Sequence, residues 1–176
     1  GVARITQTDV LVKAVAKALT EYPVMNSIIE GEEIRIIRDV NIGVAVSVEE
    51  GLVVPVIHNA DRKSLLEIAE KRDDLARKAR TGTLTTKEAS YGTFTISNLG
   101  MYGVDIFAPI MNPPESAILG VGRIGKKPIV IDDHLELKPI MTLTLVFDHR
   151  VMDGAFAAQF LRRVKGLLES PSQLLH

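Results

Sequence analysis

The stretch Leu143-Thr144-Leu145-Val146-Phe147-Asp148-His149-Arg150-Val151-Met152-Asp153-Gly154 decides how the chain is read. Its side chains alternate with period two. Leu143, Leu145, Phe147 and His149 therefore share one face of a strand, and the imidazole extends an apolar row. A desolvated general base would be placed there. Four residues on, Asp153 precedes a segment carrying Ala155, Phe156, Ala158, Phe160, Leu161, Val164, Leu167 and Leu168. This pattern predicts a helix over 154–169 with Asp153 as its N-cap. Taken alone, Asp153 is better explained as that cap than as a catalytic group.

Working outward, Thr8 can cap a helix running to Glu21, with Val10, Leu11, Ala14, Val15, Ala18 and Leu19 on one side and Pro23 ending it. Ser27 to Ile37 reads as a hairpin turning at Glu30-Gly31, and Val44 to Ile57 as another turning near Glu49-Glu50-Gly51. Pro55 marks an edge or interrupted strand. Ser64 to Arg80 is an amphipathic helix stopped by Gly82. Its basic end, Lys71, Arg72, Arg77, Lys78 and Arg80, could meet phosphates, but a solvated face with charges suited to a helix C-terminus is the stronger reading. Further strands are expected at 93–97, 116–124, 129–132 and 136–147. Strands and helices intermix with no regular βαβ repeat and no glycine-rich phosphate loop, which predicts an α/β mixed-sheet sandwich over a doubly wound nucleotide fold.

One domain is expected for 176 residues. A formal charge of -1 with mixed signs gives no electrostatic case for nucleic acid or an anionic membrane. No apolar run approaches the ~20 residues of a membrane span, so neither kind of partner is expected. The sequence has no cysteine, which removes disulfides, cysteine nucleophiles and thiolate metal sites and fits a reducing compartment. His58, His134, His149 and His176 lack ligand spacing, so no metal is expected.

Asp-His-Arg-Val-Met-Asp-Gly-Ala after such a strand closely resembles the active-site signature of the dihydrolipoamide acyltransferases, the catalytic cores of the 2-oxo acid dehydrogenase complexes. Gly92-Thr93-Phe94-Thr95-Ile96-Ser97-Asn98-Leu99-Gly100 resembles the serine-bearing strand and turn of that family. The blocks from Asn112-Pro113-Pro114-Glu115 to Gly122, and Asn41-Ile42-Gly43-Val44-Ala45-Val46 with Gly51 to Ile57, resemble it too, in the family's order. The resemblance implies a two-layer, chloramphenicol acetyltransferase-like fold dependent on coenzyme A. It also implies acyl transfer from the dihydrolipoyl thioester of a separate lipoyl domain to coenzyme A. Acetyl, succinyl and branched-chain groups all remain open.

Moving an acyl group between thiols needs a base for the incoming thiol, which near neutral pH is mostly protonated if its pKa resembles the ~8.5 of cysteine, and a donor for the oxyanion. By resemblance His149 is the base, Ser97 the oxyanion donor, and Asp153 orders the loop and the surroundings of His149. Arg150 is expected in an ion pair with Asp148. Ser97, Asn98 and Gly122 would lie along the pantetheine channel of coenzyme A, and Ser47 stands where many relatives carry aspartate. The resemblance further implies homotrimers, His149 of one chain facing Ser97 of the next. Apolar C-terminal pairs, Leu167-Leu168 and Leu174-Leu175, would join trimers into a cubic or dodecahedral core that works with a lipoyl domain, a decarboxylase and a dihydrolipoamide dehydrogenase.

Relatives begin this domain with several dozen further residues, so 1–176 reads as a catalytic domain lacking its N-terminal segment, with no lipoyl or peripheral-subunit-binding domain. The compartment expected is the cytoplasm, with the mitochondrial matrix as alternative. Two other functions compete: a small-molecule acetyltransferase of the chloramphenicol type, and a mainly structural assembly core. The Asn112-Pro113-Pro114-Glu115 and Asn41-Ile42-Gly43 blocks favour the lipoyl branch.

Overall fold

The computed structural model describes residues 3–49 and 51–174. In chain order it contains α1 (Gln7–Glu21), β1 (Ser27–Glu30), β2 (Glu33–Ile36), β3 (Ile42–Val44), β4 (Val46–Val48), β5 (Gly51–Val53) and β6 (Val56–Ile57). There follow α2 (Leu65–Arg80), β7 (Phe94–Asn98), β8 (Ala117–Val121), β9 (Gly125–Ile131), β10 (His134–Ile140), β11 (Leu143–Phe147) and α3 (Gly154–Glu169). No helix among the described residues is long and apolar enough to cross a membrane.

The helices start where local chemistry satisfies their free N–H groups. At α1 the N-cap is Thr6, two residues before the Thr8 expected from the sequence. Asp9 reaches back to accept from the Thr6 backbone N at 2.7 Å and its hydroxyl at 2.8 Å. Asp9 is fully buried, and its other ties, to Arg72 of α2 at 2.7 and 3.2 Å, make the cap part of the helix–helix contact. Ser64 caps α2 in a reciprocal box with Glu67, as the sequence indicates. The basic end of α2 is largely engaged in ion pairs: Lys71 and Lys78 with Asp74 and Glu88, Arg77 with Asp74.

The main sheet has the order β11-β8-β7-β3-β6. Its three inner strands β8, β7 and β3 run parallel, and the two outer strands β11 and β6 run antiparallel to their neighbours. One face is covered by helices, with α1 packed against both α2 and α3. On that face Phe94 and Ile96 of β7, Leu119 and Val121 of β8, and Phe160 and Val164 of α3 are all buried. The Phe94 and Phe160 rings lie 5.7 Å apart, and Tyr22 packs edge-on to Phe160. Each such large side chain contributes roughly 1.5–3 kcal/mol through burial.

Two expected strands divide. The run expected over 136–147 splits at Met141 and Thr142, because β10 pairs only with β9 while β11 pairs with β8, and the chain must change partners between them. β9 starts at Gly125, earlier than the expected 129, and β8 ends at Val121, before the expected 124. The 44–57 hairpin exists, but its tip, β4 with β5, is a separate ribbon outside the main sheet. Its turn includes Glu50, outside the described residues. The interruption falls at Pro55 and β6 is an edge strand, as the proline indicates.

The C-terminus also differs from expectation. Leu167 is fully buried and Leu174 is 3% exposed, both within this chain's own core. The 171–174 turn is held by Lys17 and Arg163, which donate to the Gln173 backbone O at 3.0 Å and side-chain Oε1 at 3.1 Å. Leu175 lies outside the described residues. Apolar surface is exposed elsewhere: on the 101–110 loop, where Ile110 is 90% exposed, and on the β9–β10 ribbon.

Candidate functional site

β11 stops at Phe147, and Asp148 to Val151 form a turn. The turn is fixed by the Asp148 backbone N donating to Ser116 O at 2.9 Å and by Val151 N donating to Asp148 O at 3.0 Å. Arg150 pairs with Asp148, as expected, and its guanidinium holds the Asp148 carboxyl below the usual carboxylate range. His149 packs on Phe147 with ring centroids 4.7 Å apart, consistent with the apolar row. The expectation of desolvation does not hold in one chain, where His149 is exposed. The strand has ended, and among the described residues no element covers the turn. Asp153 caps α3, its Oδ1 accepting from Phe156 N at 2.8 Å.

Ser97 lies near the C-terminal end of β7, half-buried, on the face opposite the helices. Thr93, Thr95 and Ser97 share that face, while Phe94 and Ile96 point to the core. In register Ser97 sits beside Gly120 of β8, which sits beside Thr144 of β11. The chain arcs closely over this face. A Cβ on Gly120 would meet Pro109 at 2.9 Å, and one on Gly122 would come within 1.9 Å of the Asp105 carbonyl oxygen. Glycine is required at Gly122 by that backbone crossing.

Register fixes how far apart the serine and histidine lie. His149 is five positions beyond Thr144, roughly 16 Å at ~3.3 Å per residue, and two strand spacings add roughly 10 Å sideways. The pair is thus roughly 15–20 Å apart within one chain, at opposite ends of the sheet.

The coenzyme positions separate into two places. Asn98 and Gly122 share a cleft of about 470 Å3 with Gln7, Arg123 and Met141, and Asn98 Oδ1 accepts from Gly100 N at 2.9 Å. Ser47 is exposed on the outer ribbon and lines a different cleft, about 810 Å3, together with Arg80 and Thr81 at the end of α2. Among the described residues no group of three or more His, Asp or Glu could hold a metal ion.

The sequence quoted Glu115 only as part of a motif. In the structure its side chain is 5% exposed, accepts from Thr95 Oγ1 at 2.5 Å and lies 3.4 Å from Asn112 Nδ2. Burial pushes its carboxyl up to about 7, against the opposing effect of those two donors. The available signal was an acidic residue two positions before the wholly apolar strand Ala117–Val121.

A mixed sheet with helices on one face and a histidine turn after its edge strand defines the chloramphenicol acetyltransferase-like fold. Chloramphenicol acetyltransferase itself is similar at a TM-score of 0.55 over 93% of this chain and 78% of that one, at 16% identity, a likeness of fold alone. Residues 1–176 match the family of 2-oxoacid dehydrogenases acyltransferase (catalytic domain), and the chain belongs to that family.

Two curated relatives differ in the acyl group that their names give. The dihydrolipoyllysine-residue acetyltransferase component of the pyruvate dehydrogenase complex of Rickettsia bellii is 46% identical over 98% of this chain and 41% of its own length. The succinyltransferase component of the 2-oxoglutarate dehydrogenase complex of Rickettsia typhi is 44% identical over 93% of this chain and 41% of its own length. The chain thus spans about two fifths of the length of these relatives. Among solved structures, the cubic core of a pyruvate dehydrogenase multienzyme complex is similar at a TM-score of 0.94 and 39% identity, over 99% of this chain and 72% of that one. A structure of Azotobacter vinelandii dihydrolipoamide acetyltransferase, from an investigation of a serine, a histidine and an asparagine in its catalytic mechanism, gives the same values.

Proposed function

We propose that this chain transfers an acyl group from a dihydrolipoyl thioester to coenzyme A, at a site completed by two copies of the chain. The observation that carries the reading is the division of the pair: His149 and Ser97, the base and donor such chemistry needs within hydrogen-bond reach of one carbonyl, lie roughly 15–20 Å apart in a single chain. A neighbour that brings its His149 to this chain's Ser97 resolves the distance and also desolvates an imidazole otherwise left exposed. The spacing in the Azotobacter enzyme supports the assignment. The serine, histidine and asparagine investigated there stand 52 and 4 positions apart, as do Ser97, His149 and Asp153 here.

In this mechanism His149 accepts the proton of the coenzyme A thiol as its sulfur attacks the thioester carbonyl. The Ser97 hydroxyl donates to the oxygen of the tetrahedral intermediate. Collapse breaks the bond to the dihydrolipoyl sulfur, which takes the proton back from His149. Asp153 holds the start of α3 and so the turn that carries His149. The Asn98 and Gly122 cleft suits the pantetheine arm, and the Ser47 cleft offers Arg80 to coenzyme phosphates.

We further infer a trimer that builds a larger core and works with a lipoyl domain, a decarboxylase and a dihydrolipoamide dehydrogenase. The exposed apolar residues of the 101–110 loop and the β9–β10 ribbon supply surface for such contacts. Subunit mixing tests the shared site. His149→Ala alone is expected to lower turnover by about a hundred- to ten-thousand-fold. Ser97→Ala alone is expected to cost about 2.7 to 4 kcal/mol of transition-state stabilisation. Dissociating the two variants, mixing them and reassembling should restore part of the activity. No recovery despite proven mixing, or full activity in a monomer, overturns the reading.

A further inference from the structure

A cavity of about 940 Å3 opens between the β1–β2 hairpin, the outer ribbon and the turns around Gly92 and Glu115, and none of the residues placed above in base, donor or coenzyme roles lines it. The volume falls within the ~300–1,000 Å3 of small-molecule sites. Two features of its wall do not follow from packing alone. Gly92 leaves room for the Glu115 carboxyl, since a Cβ there would stand 2.5 Å from Oε1. Tyr91, in the cavity wall, adopts a left-handed backbone at φ 63 that strains a non-glycine residue, and it is 78% exposed. Asn41, buried in the wall, holds it there by donating from Nδ2 to Tyr91 O at 2.9 Å.

The charges around the cavity show what is missing. Glu30 pairs with Arg35 at 2.7 Å, and Asp39 lies 3.5 Å from Arg62. His58 Nε2 meets the Lys87 carbonyl oxygen at 3.0 Å. Among the described residues the Glu115 side chain meets a hydroxyl and an amide and joins no ion pair. An ionised carboxylate can accept about four hydrogen bonds, so two sites stay open, and a buried one needs a cation.

We propose that this cavity binds an alkylammonium group, with Glu115 as its counter-ion and the Tyr91 ring against its methylenes and charge. A cavity wall that carries both an aromatic residue and a carboxylate suits an amine on a short chain. The amine is supplied either by a free diamine or by the lysine side chain of a peptide.

Calorimetric titration of the assembled protein with 1,5-diaminopentane and with Nα-acetyl-lysine amide, at pH 6 and pH 8, tests the proposal. Both ammonium groups stay charged over this range, whereas Glu115 ionises through about 7, so affinity should rise about tenfold between the two. Glu115→Gln keeps the shape and should abolish that rise and weaken binding at pH 8 by about tenfold or more. Gly92→Ala, which displaces the carboxyl, should weaken it as well. Binding of the diamine alone identifies a free amine, and binding of the lysine amide identifies a peptide. Equal affinity of the parent protein and Glu115→Gln, equal binding of uncharged 1-pentanol, or no binding of either amine up to about 10 mM overturns the proposal.

Discussion

Replacing Glu115 with glutamine should flatten the pH dependence of stability in a defined window. Burial lifts the carboxyl from 4.5 to about 7 in the folded chain. Each pKa unit is worth about 1.4 kcal/mol, so the lift corresponds to about 3 kcal/mol. The sign follows from proton counting: between those two values the folded chain holds a proton that the unfolded chain has lost, so stability falls as pH rises. The contribution is complete below about 4.5, declines by about 1.4 kcal/mol per pH unit and is gone above about 7. Carboxyls held low by cations or donors, such as Glu88, at about 2 through its hydrogen bond from Lys78, act in the opposite direction and only as pH falls below their ordinary values. They leave the window free. Glutamine keeps the contacts with Thr95 and lacks the ionisation, so the difference in unfolding free energy between variant and parent should shift by about 3 kcal/mol in favour of the variant from pH 4.5 to pH 8. Urea unfolding at fixed protein concentration across this range measures it. Identical pH slopes for parent and variant would refute the argument that Glu115 is buried without a charged partner.

Gly122→Ala should cost about 3 kcal/mol or more, because its methyl would strike the Asp105 backbone, whereas Gly125→Ala, where nothing lies within 4 Å, should change stability by no more than ~0.5 kcal/mol; thermal melts of the pair check this. Asp153→Ala should lose the cap of α3, about 1 kcal/mol, and lower turnover by loosening the turn that carries His149. Asp153→Asn keeps a capping oxygen and should retain both stability and turnover. A large loss of turnover in the asparagine variant at unchanged stability would show that the negative charge itself is needed.

Local chemistry was legible wherever one stretch of chain contains all the interacting parts. The helix over 154–169 and its Asp153 cap, the Ser64–Glu67 box, the pair of Arg150 with Asp148 and the break at Pro55 each depend on residues a few positions apart, and period and propensity sufficed to place them. The motif blocks likewise gave the family before any coordinates. What the sequence could not supply were properties that arise when distant segments meet. Alternation carried His149 onto an apolar row, but only the end of β11 and the lack of cover among the described residues decide that the ring is exposed. Nothing in the run from 136 to 147 announces that one half pairs with β9 and the other with β8. Strand order and register, set by pairings between segments far apart in sequence, put Ser97 and His149 at opposite ends of the sheet. The same packing turned Leu167 and Leu174 inward and enclosed Glu115, because burial is a property of what surrounds a residue and not of the residue itself.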